Sequence, residues 1–192
     1  MILNRDYNII GFFLSAPRRS AYGREIARAY KMNQKSVANS LLRLEGGGIL
    51  KSERKGRTLL FSLNPKFPAL KDVIVISEIE RKLAFLSRNP KIAEIFTKSS
   101  GIVGIFGSYA RGEKREGSDL DIFVIGESRP DYRREASLFN IRASVRKFSE
   151  KKWKALINSK NTLASEIVSA HIIISGAEAF VNLAWAGFYG FD

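Results

Sequence analysis

A chain of 192 residues with 45% hydrophobic and 27% charged residues holds one ordinary domain or two small ones, and its composition argues against a disordered chain. Lys and Arg number 32 against 19 Asp and Glu, a net charge of +13, which favours an anionic partner such as nucleic acid, nucleotide or an acidic membrane surface. With no cysteine, disulfides, thiolate chemistry and Cys-ligated zinc are excluded.

The stretch Met1–Ile10 carries Asn4, Arg5, Asp6 and Asn8 among its apolar residues, unlike a signal peptide. Apolar runs such as Val73–Ile76 and Ile172–Ile174 are far too short to span a bilayer. The expectation is a soluble, cytoplasmic protein with no membrane attachment. Residues 1–67 hold 13 Lys and Arg against 4 Asp and Glu, so the charge is concentrated in the first third.

Three parts are expected: residues 1–67, a connector helix over 68–88, and residues 89–192. In the first part Tyr7–Leu14 reads as a helix that stops at Ala16-Pro17. Tyr22–Tyr30 reads as a second helix, and Gln34–Glu45 as a third, capped by Asn33 and ended by Gly46-Gly47-Gly48. Two strand-like runs follow, Ile49–Arg54 and Thr58–Leu63, around a hairpin tip at Lys55-Gly56-Arg57. Asn64-Pro65-Lys66-Phe67-Pro68 then breaks regular structure.

Three helices followed by a hairpin resemble the winged helix-turn-helix domains of prokaryotic transcription regulators, over about Arg5–Leu63. That resemblance implies binding to double-stranded DNA, with the third helix in the major groove. Its exposed face offers Gln34, Lys35, Ser36, Asn39 and Arg43, residue types suited to base edges. The hairpin offers Arg54, Lys55 and Arg57 to phosphate. The bland alternative is a three-helix domain whose basic face is merely solvated or docks a protein.

The connector, about Lys71–Ser87, repeats Val73, Ile76, Ile79, Leu83 and Leu86 at helical spacing. That face either packs on one of the domains or pairs with a second copy in a homodimer. From Asn89 on, strands and helices alternate: strands at Ile102–Phe106, Leu120–Ile125, Ala143–Phe148 and His171–Ser175, and helices at Ser108–Arg111, Asp131–Asn140, Glu150–Ile157, Thr162–Ser169 and from Gly176 to about Leu183. This predicts an α/β (α+β) domain with a mixed sheet, behind a mostly helical one. His171, the single histidine, opens an apolar run and fits a structural place at a strand end.

The chemistry lies in IVGIFGSYARGEKREGSDLDIFVIG, from Ile102. An apolar strand ends at Gly107-Ser108 and a helix starts there; free backbone N–H groups at such a start suit phosphate oxygens. Gly107 lets phosphate approach the backbone, Ser108 adds a hydroxyl, and Arg111 one turn on adds charge. Beyond a polar loop, Asp119 and Asp121 alternate around Leu120 and so share a strand face. Paired carboxylates bind hard cations, Mg²⁺ above all when nucleotide phosphate shares it. Each piece alone is common.

Together, Gly107-Ser108, ten residues, and Asp119-x-Asp121 resemble the signature of the DNA polymerase beta-like nucleotidyltransferase superfamily, in the form seen in its minimal members. The resemblance implies that Gly107, Ser108 and Arg111 hold a nucleoside triphosphate and that Asp119 and Asp121 hold Mg²⁺ and are catalytic. It further implies transfer of a nucleoside monophosphate to an acceptor hydroxyl, and, as many minimal members act beside one, a small toxin-like helical protein as a partner. Active members usually supply a third carboxylate from a neighbouring strand. The matching stretch, RASVRKFSEKKW, has Arg142, Ser144, Arg146 and Lys147 and no acid before Glu150. Glu135 and Glu166 fall on predicted helices. Two functions are therefore open: an enzyme joined to a DNA-binding domain, or a DNA-binding regulator whose degenerate transferase domain only binds nucleotide or a protein.

Overall fold

A computed structural model describes residues 4–189; residues 1–3 and 190–192, the outer ends of the expected domains, lie outside the described residues. The chain divides into two compact units, residues 4–77 together with Tyr189, and Glu78–Phe188. In the first, three helices precede a hairpin: α1 (Asn4–Leu14), α2 (Gly23–Ala29), α3 (Gln34–Gly46), then β2 (Leu50–Lys55) and β3 (Thr58–Leu63). Asn33 caps α3, its side chain accepting from the Lys35 and Ser36 amides at 2.9 and 3.3 Å, which satisfies two of the helix's free donors. Gly48, at φ +78°, makes the left-handed turn out of α3 that a side chain would strain. The hairpin pairs Lys55 with Thr58, so its loop is only Gly56-Arg57. A two-residue strand β1 (Ala21–Tyr22) pairs with β3 and gives the sheet order β1-β3-β2. Ile9, Ile10 and Phe13 of α1, Ile26 of α2, Val37, Leu41 and Leu44 of α3 and Phe61 of β3 are all buried.

Helix α4 (Leu70–Arg88) follows the proline-rich break. Of the apolar residues at helical spacing, Val73 is buried and Leu86 packs against the core, while Ile76, Ile79 and Leu83 are exposed; Leu70, Ile74, Ser77 and Glu78 are buried as well. The buried face therefore includes two polar groups. It can do so because Ser77 Oγ donates to Val73 O at 2.8 Å and Glu78 accepts from Arg81 at 3.0 and 3.1 Å; buried polar groups with partners cost little.

The second unit, Glu78–Phe188, is built on a four-stranded mixed sheet, β4 (Ile102–Phe106), β5 (Leu120–Ile125), β6 (Ala143–Phe148) and β7 (His171–Ser175), in the order β6-β5-β4-β7. Strand β4 runs antiparallel to β5 and β7, and β5 runs parallel to β6. Alternate residues serve alternate faces. Val103, Ile105, Leu120, Ile122, Val124, Ile172 and Ile174 pack with Ile92, Ile95 and Phe96 around α5 (Pro90–Ile95) and with Tyr132 and Ala136 of α7 (Tyr132–Ser137). The opposite face is aromatic. Phe123 stacks on Trp153 of α8 (Glu150–Asn158) at 6.1 Å and meets Phe180 of α10 (Ala177–Ala184) at 5.9 Å. Gly104 makes room for this, because a β-carbon there would collide with the Phe123 ring. Helices α6 (Gly107–Arg111) and α9 (Thr162–Ser169) complete the unit, and Trp185–Tyr189 forms a π-helical turn after α10. Among the described residues no helix is long and apolar enough to cross a membrane.

Candidate functional site

Phe106, the last residue of β4, pairs with Asp121 of β5. The next residue, Gly107, thus begins α6 directly beside the Asp121 side chain. Two things demand glycine here. Its φ is +69°, and a β-carbon would stand 2.5 Å from Asp121 Oδ2. The glycine turn and the aspartate are one packed unit. Helix α6 has only five residues and Phe106 gives it no side-chain cap. Its macrodipole is small, so the donors it offers are the N–H groups of its first turn. Gly112, at φ +72°, closes α6, and the chain folds back so that the Glu113 amide donates to Ser108 O at 2.9 Å. Ser108 is half-buried.

Asp119 lies just before β5 and Asp121 within it. Burial, followed by the charges of Asp119 and Glu166, raises the Asp121 carboxyl above its usual range, against the lowering influence of Arg146 and Arg111. Asp119 is half-exposed and paired with Arg142 Nε at 3.1 Å. On edge strand β6 the parallel register sets Ser144 beside Asp121 and Arg146 beside Phe123, so this strand brings arginine and serine to the carboxylates, and no acid. Among the described residues no group of three or more His, Asp or Glu is arranged to hold a metal ion.

Arg111, expected to meet phosphate, is engaged by carboxylates: Nε donates to Glu113 Oε2 at 2.9 Å and Nη1 to Glu166 Oε1 at 3.2 Å. Glu166 is the residue that sequence reasoning set aside. Helix α9 leads into β7, and β7 pairs with β4 so that His171 sits opposite Phe106. That pairing returns the end of α9 to the glycine turn. A sequence signal existed in the short spacing from Glu166 to the strand, but its meaning depended on knowing which strand β7 would join.

The residues expected to face DNA divide as well. Gln34, Lys35, Asn39, Arg54, Lys55 and Arg57 are exposed and Ser36 is half-exposed, with Ser36 Oγ accepting from Arg5 at 3.0 Å. Arg43 is committed elsewhere. It binds Asp6 through Nε at 3.0 Å and Nη2 at 2.6 Å, and Ser40 Oγ at 2.9 Å. Asp6 is fully buried, and a buried carboxylate holds its guanidinium partner strongly. Arg43 is a structural residue that ties α3 to α1.

Residues 82–174 match the family model of the nucleotidyltransferase domain. The match covers the whole sheet but for the last residue of β7, together with the glycine turn, both aspartates and Glu166. A relative from Methanocaldococcus jannaschii, provisionally named a protein adenylyltransferase, is 44% identical over 64 residues, which are 33% of this chain. The chain spans 65% of the length of that relative. No solved structure matches this chain. The stretch that matches the nucleotidyltransferase domain thus holds nearly all of the mixed sheet on which the turn and the paired aspartates meet, and the three helices and hairpin of the first unit lie outside the match.

Proposed function

We propose that the nucleotidyltransferase domain binds a nucleoside triphosphate with Mg²⁺ and transfers its nucleoside monophosphate to an acceptor hydroxyl, releasing pyrophosphate. The observation that carries this is the contact between the Gly107 backbone and the Asp121 carboxylate, with Asp119 alongside. It joins a glycine turn at a helix start to two anionic ligands. The donor set fits Mg²⁺: the ligands are hard oxygens, and burial, followed by the charge of Asp119, raises the Asp121 carboxyl, so a bound cation would offset the charge that this site disfavours. Asp119 and Asp121 would hold the ion, Asp119 by exchanging Arg142 for it. Bound there, Mg²⁺ supplies neutralisation of phosphate charge in the transition state. Gly107 and Ser108 hold phosphate oxygens through N–H and hydroxyl donors and orient the α-phosphate toward the acceptor. The relative's name favours an adenylyl group and a protein acceptor.

The test is label transfer from each of the four nucleoside triphosphates, with Mg²⁺, by wild type and by Asp121→Asn. Incorporation by wild type that is lost in the variant is expected. No incorporation by wild type, while nucleotide still raises its melting temperature, would favour the second reading, a domain that binds nucleotide without transferring it. One observation supports that reading: Ser144 and Arg146 stand on β6 where the resemblance leads one to look for an acid.

We also propose that the first unit is a winged helix-turn-helix that binds double-stranded DNA. Exposed Gln34, Lys35, Ser36 and Asn39 of α3 would face base edges, and Arg54, Lys55 and Arg57 of the hairpin would face phosphate. Replacing Arg54 and Arg57 together with alanine should weaken binding on all sequences alike and lower the salt slope of log K by about 2. A gel-shift series over salt concentration measures this, and an unchanged slope removes the hairpin from the interface.

A further inference from the structure

Arg111 presents a conflict. It lies one helical turn beyond Ser108 and so faces the same side of α6 as the phosphate turn, yet its charge is taken up by Glu113 and Glu166. The two acids reach it from unrelated places. Glu113 is brought back by the left-handed turn at Gly112, and Glu166 comes from α9, 55 residues along the chain. Arg111, Glu113 and Glu166 are all well exposed, with side chains 39%, 67% and 45% accessible. Exposed carboxylate–guanidinium contacts of this kind are weak. Phosphate oxygens of a triphosphate are stronger, bidentate partners for a guanidinium.

We propose that Glu113 and Glu166 compete with the nucleotide for Arg111, which passes from these carboxylates to the phosphates when nucleotide binds. The inference rests on the nucleotide reading above. Glu166 is a positioning residue in this scheme. It acts through Arg111 and sets how much phosphate charge a ligand must carry to claim the site.

The experiment is a calorimetric titration of ATP into wild type, Glu166→Gln, Arg111→Ala and the double variant, in chelator and in Mg²⁺, with adenosine as the phosphate-free control. The comparison is made in whichever condition wild type binds. Because Glu166 is exposed, glutamine there leaves the fold intact. Glu166→Gln should bind ATP about two- to fivefold more tightly than wild type, with no change for adenosine. In the Arg111→Ala background the same substitution should have no effect. ATP affinity unchanged or weakened by Glu166→Gln overturns the proposal. Equal tightening with and without Arg111 also overturns it, because the effect would then come from removing a negative charge near the site and not from competition for Arg111. Where wild type does not bind ATP, the same titrations use whichever of the other three nucleoside triphosphates it binds; if it binds none of the four in either condition, the nucleotide reading itself fails.

Discussion

Gly107→Ala is expected to lower the nucleotidyl transfer proposed above by about 100-fold or more while the domain stays folded. The substitution adds one methyl group, and two independent costs follow from it. A φ of +69° places alanine in the left-handed region, which costs roughly 1–2 kcal/mol. The added carbon would also lie 2.5 Å from Asp121 Oδ2 and 3.3 Å from Asp121 Cγ, so the carboxylate must turn away. Strand pairing with Phe106 fixes the Asp121 backbone, which leaves side-chain rotation as the only inexpensive response. A displacement near 1 Å at a reacting centre can cost about 10²-fold. Gly112 is a useful contrast: it is equally left-handed, at φ +72°, but open space surrounds it. What distinguishes Gly107 is the aspartate behind it. Transfer rates and thermal melts on the same preparation separate the two costs. A wild-type rate in the Gly107→Ala variant would show that Asp121 does not need its present orientation.

The sequence carried this local arrangement because its determinants are local. An all-apolar run, a glycine and alternating aspartates specify strand, turn and shared face without reference to distant residues, and β4, β5, β6, β7 and α9 have the limits that periodicity suggests. What periodicity does not hold is adjacency. Nothing in HIIIS says that β7 lies beside β4, and so nothing placed Glu166 near Arg111. Spacing does not show the pairing of Arg43 with Asp6 for the same reason, since the two lie 37 residues apart on helices whose rotation spacing does not fix. Strand β1, at two residues, is too short to show alternation. In α4 the apolar residues are regular, yet Ile76, Ile79 and Leu83 are exposed while Ser77 and Glu78 are buried, because Glu78 finds its partners within the chain.

Those partners support the second large effect. Glu78→Ala is expected to destabilise the second unit by about 3–5 kcal/mol, the usual cost of breaking a buried ion pair. Glu78 is fully buried. Arg81 Nη1 bonds both its oxygens at 3.0 and 3.1 Å, and Arg81 Nη2 donates to His171 O at 2.6 Å. His171 Nδ1 meets Ile167 O at 2.9 Å, and Nε2 lies 3.3 Å from Glu78 Oε1. Because a carbonyl only accepts, Nδ1 carries a proton. The carboxylate therefore anchors α4 to the first residue of β7, and through the pairing of His171 with Phe106 it supports the strand end from which Gly107 turns. Its pH behaviour follows from the same contacts. Burial pushes the Glu78 carboxyl up, but Arg81 and then His171 outweigh it, so its pKa in the folded protein lies below the ordinary value. The stabilisation is then fully present above the unfolded carboxylate range, about pH 4.3, and is lost as pH falls through the lowered folded value. Urea denaturation of wild type and Glu78→Gln across this range should show a stability gap that is constant near neutrality and closes in acid. Glutamine keeps the shape of the side chain and removes only its charge, so a gap independent of pH would assign the effect to packing, and no gap at neutral pH would show that the buried carboxylate does not hold the helix to the sheet.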